Sequence, residues 1–172
     1  VEVEGAWRAL AELDLEGRVS VAQDQRQGGE VRRRRWASGH TKALGPEVDP
    51  PLDVDRAAAL AVVHDVPEAV LGDVPHAGAA PLPPGAKEAA ERCATEALLT
   101  PLSPLAAARG AEFSSGETRE ARFVRLCDKL QLGVRLVGYR RAGLGELADF
   151  REGLARLDAS EFPPCEELRR AV

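Results

Sequence analysis

The stretch from Glu117 to Arg140 constrains the fold more than any other part of this sequence. Ala121, Val124, Leu126, Cys127, Leu130, Val134 and Val137 recur at helical spacing along it. It is the longest helical pattern in the chain, and Gly143 and Gly145 are expected to end it. Nowhere does an alternation of apolar and polar residues argue for a strand. The expectation is therefore an all-α, single domain of five to seven helices without an internal repeat.

The remaining segments fit that class. Trp7, Leu10 and Leu13 share a stripe over Trp7 to Leu15, the pattern of a short amphipathic helix, and residues 16–35 read as an exposed loop. Pro46, Pro50 and Pro51 break the chain before Asp53 or Asp55 offers an N-cap. The following AAALAVV segment is apolar nearly all round, so its helix is expected deep in the domain. It should run to about Leu71, kinked or loosened at Pro67, with Gly72 as a stop. Residues 73–85 form a long Pro/Gly-rich loop, and Ala86 to Leu99 is a helix. A further helical piece reaches Arg109, Gly110 to Gly116 is a loop, Glu146 to Leu157 is a last helix, and Phe162-Pro163-Pro164 begins the tail.

Composition narrows the functional classes. The chain has 172 residues, 44% apolar and 30% charged, enough to bury a core and stay soluble. Twenty-three basic against 28 acidic residues give a net charge of −5, which argues against a general nucleic-acid binder. The longest aliphatic run, Ala57 to Val63, is far short of the ~20 residues a membrane span needs. No signal-peptide pattern is visible, so a cytoplasmic location without membrane partners is expected. Three widely spaced cysteines, Cys93, Cys127 and Cys165, imply neither a disulfide framework nor a zinc ribbon. Cys127 reads as a small buried hydrophobe.

Charged groups in apolar settings are the informative feature, because an unpaired buried charge is very costly. The helix expected to be most buried carries His64, Asp65 and Glu68, at spacings that place all three on one helical face. A second acid, Asp128, interrupts the apolar stripe of the long helix. Each alone is ordinarily a salt bridge or a solvated turn; for Asp128 the partners would be Lys129, Arg125 or Arg135. Together they favour a bound cation, and imidazole with carboxylate suits a divalent transition metal better than calcium.

At these residues the sequence resembles the HD-domain phosphohydrolases, and looks closest to their branch of small 5′-deoxynucleotidases. His64-Asp65-Val66-Pro67-Glu68 followed by Gly72-Asp73-Val74-Pro75 matches that branch's HDxxE, GD and Pro in type and interval. Glu120 to Leu130 resembles its later acid segment, and Tyr139 falls where such sequences often carry tyrosine. Ser38-Gly39-His40-Thr41 is the candidate for the first metal histidine, His76 belonging to the loop after the second motif. The resemblance covers roughly residues 36–142. His40 precedes His64 by 24 residues, where the family usually fits a full helix, and Gly39 stands where it tends to have an acid.

The resemblance implies an HD-domain helical bundle with one divalent metal (Mn, Co, Zn, Mg or Ni) held by His40, His64, Asp65 and Asp128. It implies attack of a metal-activated water on a phosphomonoester of a (deoxy)nucleoside 5′-monophosphate, with Glu68 as acid/base. Asp73 would hold the sugar 3′-hydroxyl or support Glu68. Arg18, Arg35 and Lys129 are candidates to bind the phosphate. The Arg32–Arg35 run otherwise reads as a solvated surface feature, and Trp36 as a core anchor or a base-stacking ring. The same resemblance suggests a homodimer acting on a small nucleotide. Two alternatives stand beside this reading: an HD phosphohydrolase acting on a cyclic or polyphosphorylated nucleotide, and a non-catalytic, nucleotide-binding regulatory HD domain. The presence of His64, Asp65, Glu68 and Asp128 together favours an enzyme.

Overall fold

The computed structural model describes residues 39, 41–72, 82–143 and 148–172. Seven α-helices lie within them, and no strand occurs among the described residues. After a short helical stretch at 41–44 and a 3-10 turn at Gly45–Glu47, the chain enters α1 (Val54–Val63). Asp53 is its N-cap, accepting the Arg56 amide at 2.9 Å.

The long helix expected through Leu71 is broken. α1 ends at Val63, residues 64–67 form turns, and α2 (Glu68–Leu71) follows. Pro67 supplies the cause: it has no N–H to give the Val63 carbonyl, and its ring would crowd that carbonyl. The backbone bonds instead tighten to three-residue spans, Val66 to Val63 at 3.2 Å and Glu68 to Asp65 at 3.0 Å. Gly72 closes α2 at φ +71°, where its N–H returns to the Glu68 carbonyl. Nor is this segment buried all round. Ala57, Leu60 and Ala61 are covered, whereas Val62 and Val70 are 55% and 63% exposed.

α3 (Ala86–Leu99) has the expected bounds. α4 (Pro104–Ser115) runs past the expected end at Arg109, with Ser103 as N-cap and Pro104 in the first turn. Gly110 therefore does not open a loop; it is the notch where α4 meets α3. A Cβ there would stand 2.4 Å from Thr95 Cγ2 and 2.8 Å from Leu99 Cδ1. Gly116, at φ +69°, is the residue that ends α4.

α5 (Arg119–Arg141), capped by Thr118, is the central element and packs on α1, on α4, and on α6 (Ala148–Ala155) and α7 (Pro163–Ala171). The expected tail is thus a helix: two prolines at its start already have the right φ and have no N–H to leave unsatisfied. Phe162, 2% exposed, anchors it through an edge contact with Phe123 at 5.2 Å between ring centroids. Burying Phe123, Phe162, Leu60 and Leu130 contributes about 1.5–3 kcal/mol each. A polar knot joins α1, α4 and the start of α5. Glu112 accepts from Arg56 at 2.9 Å, from Arg109 at 2.8 Å and from Thr118 at 2.8 Å. Every described residue belongs to one compact unit spanning 34–172. No helix among the described residues is long and apolar enough to cross a membrane.

Candidate functional site

The break between α1 and α2 is where the chemistry-bearing residues collect. His64 is the C-cap of α1, Asp65 opens the turn, and Glu68 begins α2. His64 and Asp65 are buried and Glu68 is half-buried. The imidazole is fixed at one vertex by its Nδ1, 2.8 Å from the Ala61 carbonyl. A carbonyl only accepts, so Nδ1 carries the hydrogen, and in the neutral ring the Nε2 lone pair faces the other way.

What it faces is negative charge. Asp65 Oδ1 lies 3.0 Å from Nε2, and Asp128 Oδ1, arriving from α5, lies 3.6 Å from it. A lone pair set against two carboxylates is repulsive unless a proton or a cation lies between them. Without a metal the proton takes that place. Burial opposes the ring's charge, but the contacts with Asp128 and then Asp65 outweigh it, and the His64 pKa is pushed up to about 10.

Two observations fit a divalent cation at the same place. His64 Nε2 and Asp65 Oδ2 are buried, and neither has an aligned hydrogen bond. Two donors bound about 2.1 Å from one ion stand roughly 3.0–3.4 Å apart, close to the separations here. Among the described residues, however, no three His, Cys, Asp or Glu side chains form a finished metal cluster. The described part supplies His64 and Asp65 with Asp128 alongside; His40 lies outside the described residues. Asp128 is less buried than expected: it is half-buried, its side chain 39% exposed. The long helix presents it at the edge of the buried stripe, next to Cys127, which is fully buried as expected. Burial pushes the Cys127 thiol well up, helped by the neighbouring Cys165.

Of the other expected site residues, Lys129 is exposed on α5, beside Asp128. Arg18, Arg35 and Asp73 lie outside the described residues, as do Trp7 to Leu15, the Arg32–Arg35 run, Trp36 and His76. Two neighbours of the site were not singled out from the sequence. Gln131, one turn beyond Asp128, is buried with its Nε2 lacking a hydrogen-bond partner. Phe113, on α4, sets its ring edge-to-face with the His64 imidazole, 5.6 Å between centroids and 66° between planes. Its only sequence signal is scarcity, as one of four phenylalanines.

The all-α fold agrees with what the chain is similar to. A family profile described as HD domain matches residues 37–157, well over half of the sequence. The chain belongs to the HD-domain family. It is 32% identical over 110 residues to the 5′-deoxynucleotidase hdd1 of Schizosaccharomyces pombe, across 57% of this chain and 52% of the relative. The chain thus spans about half the length of that curated relative. Among solved structures, it resembles a conserved hypothetical protein from Pyrococcus furiosus, with a TM-score of 0.67 and 27% identity over 81% of both chains. The PH0347 protein of Pyrococcus horikoshii shares the fold at a TM-score of 0.65 and 23% identity, covering 81% of this chain and 82% of that one.

Proposed function

We propose that this protein is a divalent-metal-dependent phosphomonoesterase that releases phosphate from deoxyribonucleoside 5′-monophosphates. The observation that carries the reading is the His64 imidazole, tied back through Nδ1 while Nε2 faces carboxylates from two distant segments. In this reading His64, Asp65 and Asp128 hold the metal together with His40. The ion, when bound, supplies Lewis acidity that lowers the pKa of water and polarises the phosphoryl group.

The chain's own groups do the rest. Glu68, one turn beyond Asp65 and half-buried, takes the proton of the attacking water and returns it to the departing 5′-oxygen. Oxygen from water joins phosphorus as the bond to the 5′-oxygen breaks, leaving nucleoside and inorganic phosphate. Lys129, with Arg18 and Arg35, offsets the charge of the phosphate dianion. Asp73 holds the sugar 3′-hydroxyl or supports Glu68. The 5′-deoxynucleotidase relative supports the choice of substrate. The protein acts as a homodimer, which light scattering on the purified chain tests.

Phosphate release measured on a panel of nucleotides with Mn²⁺ or Co²⁺ added tests the activity. Turnover of deoxynucleoside 5′-monophosphates above cyclic and polyphosphorylated nucleotides is expected. Preference for one of those other classes, or no hydrolysis at all, would overturn it.

A further inference from the structure

The Nδ1 contact with Ala61 and the carboxylates at Nε2 hold two vertices of the His64 ring, which leaves rotation about the line joining them. Phe113 packs against the imidazole edge-to-face, 5.6 Å between centroids, and a ring so placed resists that rotation. Such contacts prefer this geometry because a positive ring edge meets a negative ring face. Phe113 is itself held. The Arg125 guanidinium lies over its ring at 5.4 Å, and Arg125 Nη2 donates to the Phe113 and Ser114 carbonyls at 2.7 and 2.8 Å. One side chain therefore satisfies two carbonyls at the end of α4 and covers the last aromatic ring of that helix.

Gly116 makes room for the clasp. A Cβ at that residue would stand 2.3 Å from Arg125 Nη1, and its φ of +69° already disfavours other residues. Arg125 and Asp128 are three residues apart on α5, so the helix that presents the carboxylate to Nε2 also presents the clamp on Phe113. Phe113 lies between the two and joins the histidine from α1 to the helix bearing Asp128.

We infer that Phe113, clasped by Arg125 beside Gly116, is a positioning residue that holds the His64 imidazole plane and thereby sets the affinity of the site for a divalent cation. Phe113 touches neither substrate nor metal in this account; it acts through His64. The affinity part rests on His64 being a metal ligand, whereas the ring-orientation part does not.

The test uses the full chain as wild type, F113L, F113Y and R125L. The orientation of the His64 ring is read without metal from nuclear Overhauser contacts of its imidazole protons, and Mn²⁺ affinity is measured by counting free ion with electron paramagnetic resonance. F113L removes the ring but keeps an apolar side chain at a half-buried position. It should change those Overhauser contacts and weaken Mn²⁺ binding about 10- to 100-fold, the usual effect of losing a group that orients a ligand. F113Y, which keeps the ring, should restore both readings. R125L should move both in the same direction as F113L, by less.

Unchanged His64 Overhauser contacts in F113L, or changed contacts with wild-type affinity, would overturn the inference. If F113L does not fold, R125L decides by the same two readings. Wild-type protein that takes up no Mn²⁺ would instead overturn the proposed function, and with it the affinity claim. The Overhauser contacts in the metal-free protein would still decide whether Phe113 sets the ring.

Discussion

The two ends of α1 carry polar clusters of opposite character. Near its start, Glu112 is saturated: Arg56 and Thr118 donate to one carboxylate oxygen and Arg109 to the other. Burial alone would raise its pKa, but the bonds from Arg56, Thr118 and Arg109 outweigh that and hold it below the usual carboxylate range. At the far end, His64 Nε2 and Asp65 Oδ2 are buried without an aligned bond, and negative groups converge on one nitrogen. A cluster that completes itself holds helices together. One whose nitrogen faces two carboxylates is balanced only by a proton or a cation between them, and in the metal-free protein the proton serves.

The contrast can be broken most sharply at Glu68. If the far cluster is catalytic, E68Q should lower phosphate release by about 10²- to 10⁴-fold while leaving bound metal unchanged. Elemental analysis and turnover on the same preparation check both, and a wild-type rate in E68Q would contradict the role given to Glu68. The near end predicts the opposite pattern. E112Q should lower the melting temperature and leave Mn²⁺ affinity intact, as thermal unfolding and metal titration would show.

A third substitution sharpens the packing side of the comparison. G110A places a methyl group against Thr95 and Leu99, and overpacking of this kind costs about 1–3 kcal/mol. Denaturant unfolding should show that loss with the site's metal affinity preserved.

Smaller effects are expected at the surface. Glu166 is bonded by Arg169 at 2.7 and 2.8 Å and by Arg170 at 2.9 Å, and the Arg169 bond leads in pulling its pKa down to about 2. A carboxylate depressed on folding stabilises above its ordinary pKa of about 4.5, and that stabilisation is lost as pH falls through about 2. Unfolding measured between those pH values should therefore be less steep in E166Q than in the wild type. Cys93 is exposed, whereas Cys127 and Cys165 are buried. An aromatic disulfide reagent should titrate the first in native protein and the other two only after unfolding.

Different parts of this account were legible to different depths. α3 could be bounded to the residue because alanine, leucine and paired charges act locally. Gly110 could not be read, since a glycine that permits close helix contact looks the same in sequence as one that ends a helix. Pro163 and Pro164 misled for a related reason: proline stops a helix from within and starts one from its edge. The identities of His64, Asp65 and Asp128 were visible as charges among apolar residues. That they meet was legible too, and so was a loosening at Pro67; that the helix breaks there into turns, and that Asp128 is only half-buried, was not. The place of Phe113 depends on the packing of α4 against the turn, which no local pattern encodes.

Divalent-metal content, measured on wild type and on D128N purified without chelators and then offered Mn²⁺, tests the central claim most directly. The account predicts one ion per chain in the wild type and its loss from a D128N protein whose helical content is unchanged. A wild-type protein that stays empty, or a D128N protein that holds as much metal, would contradict it.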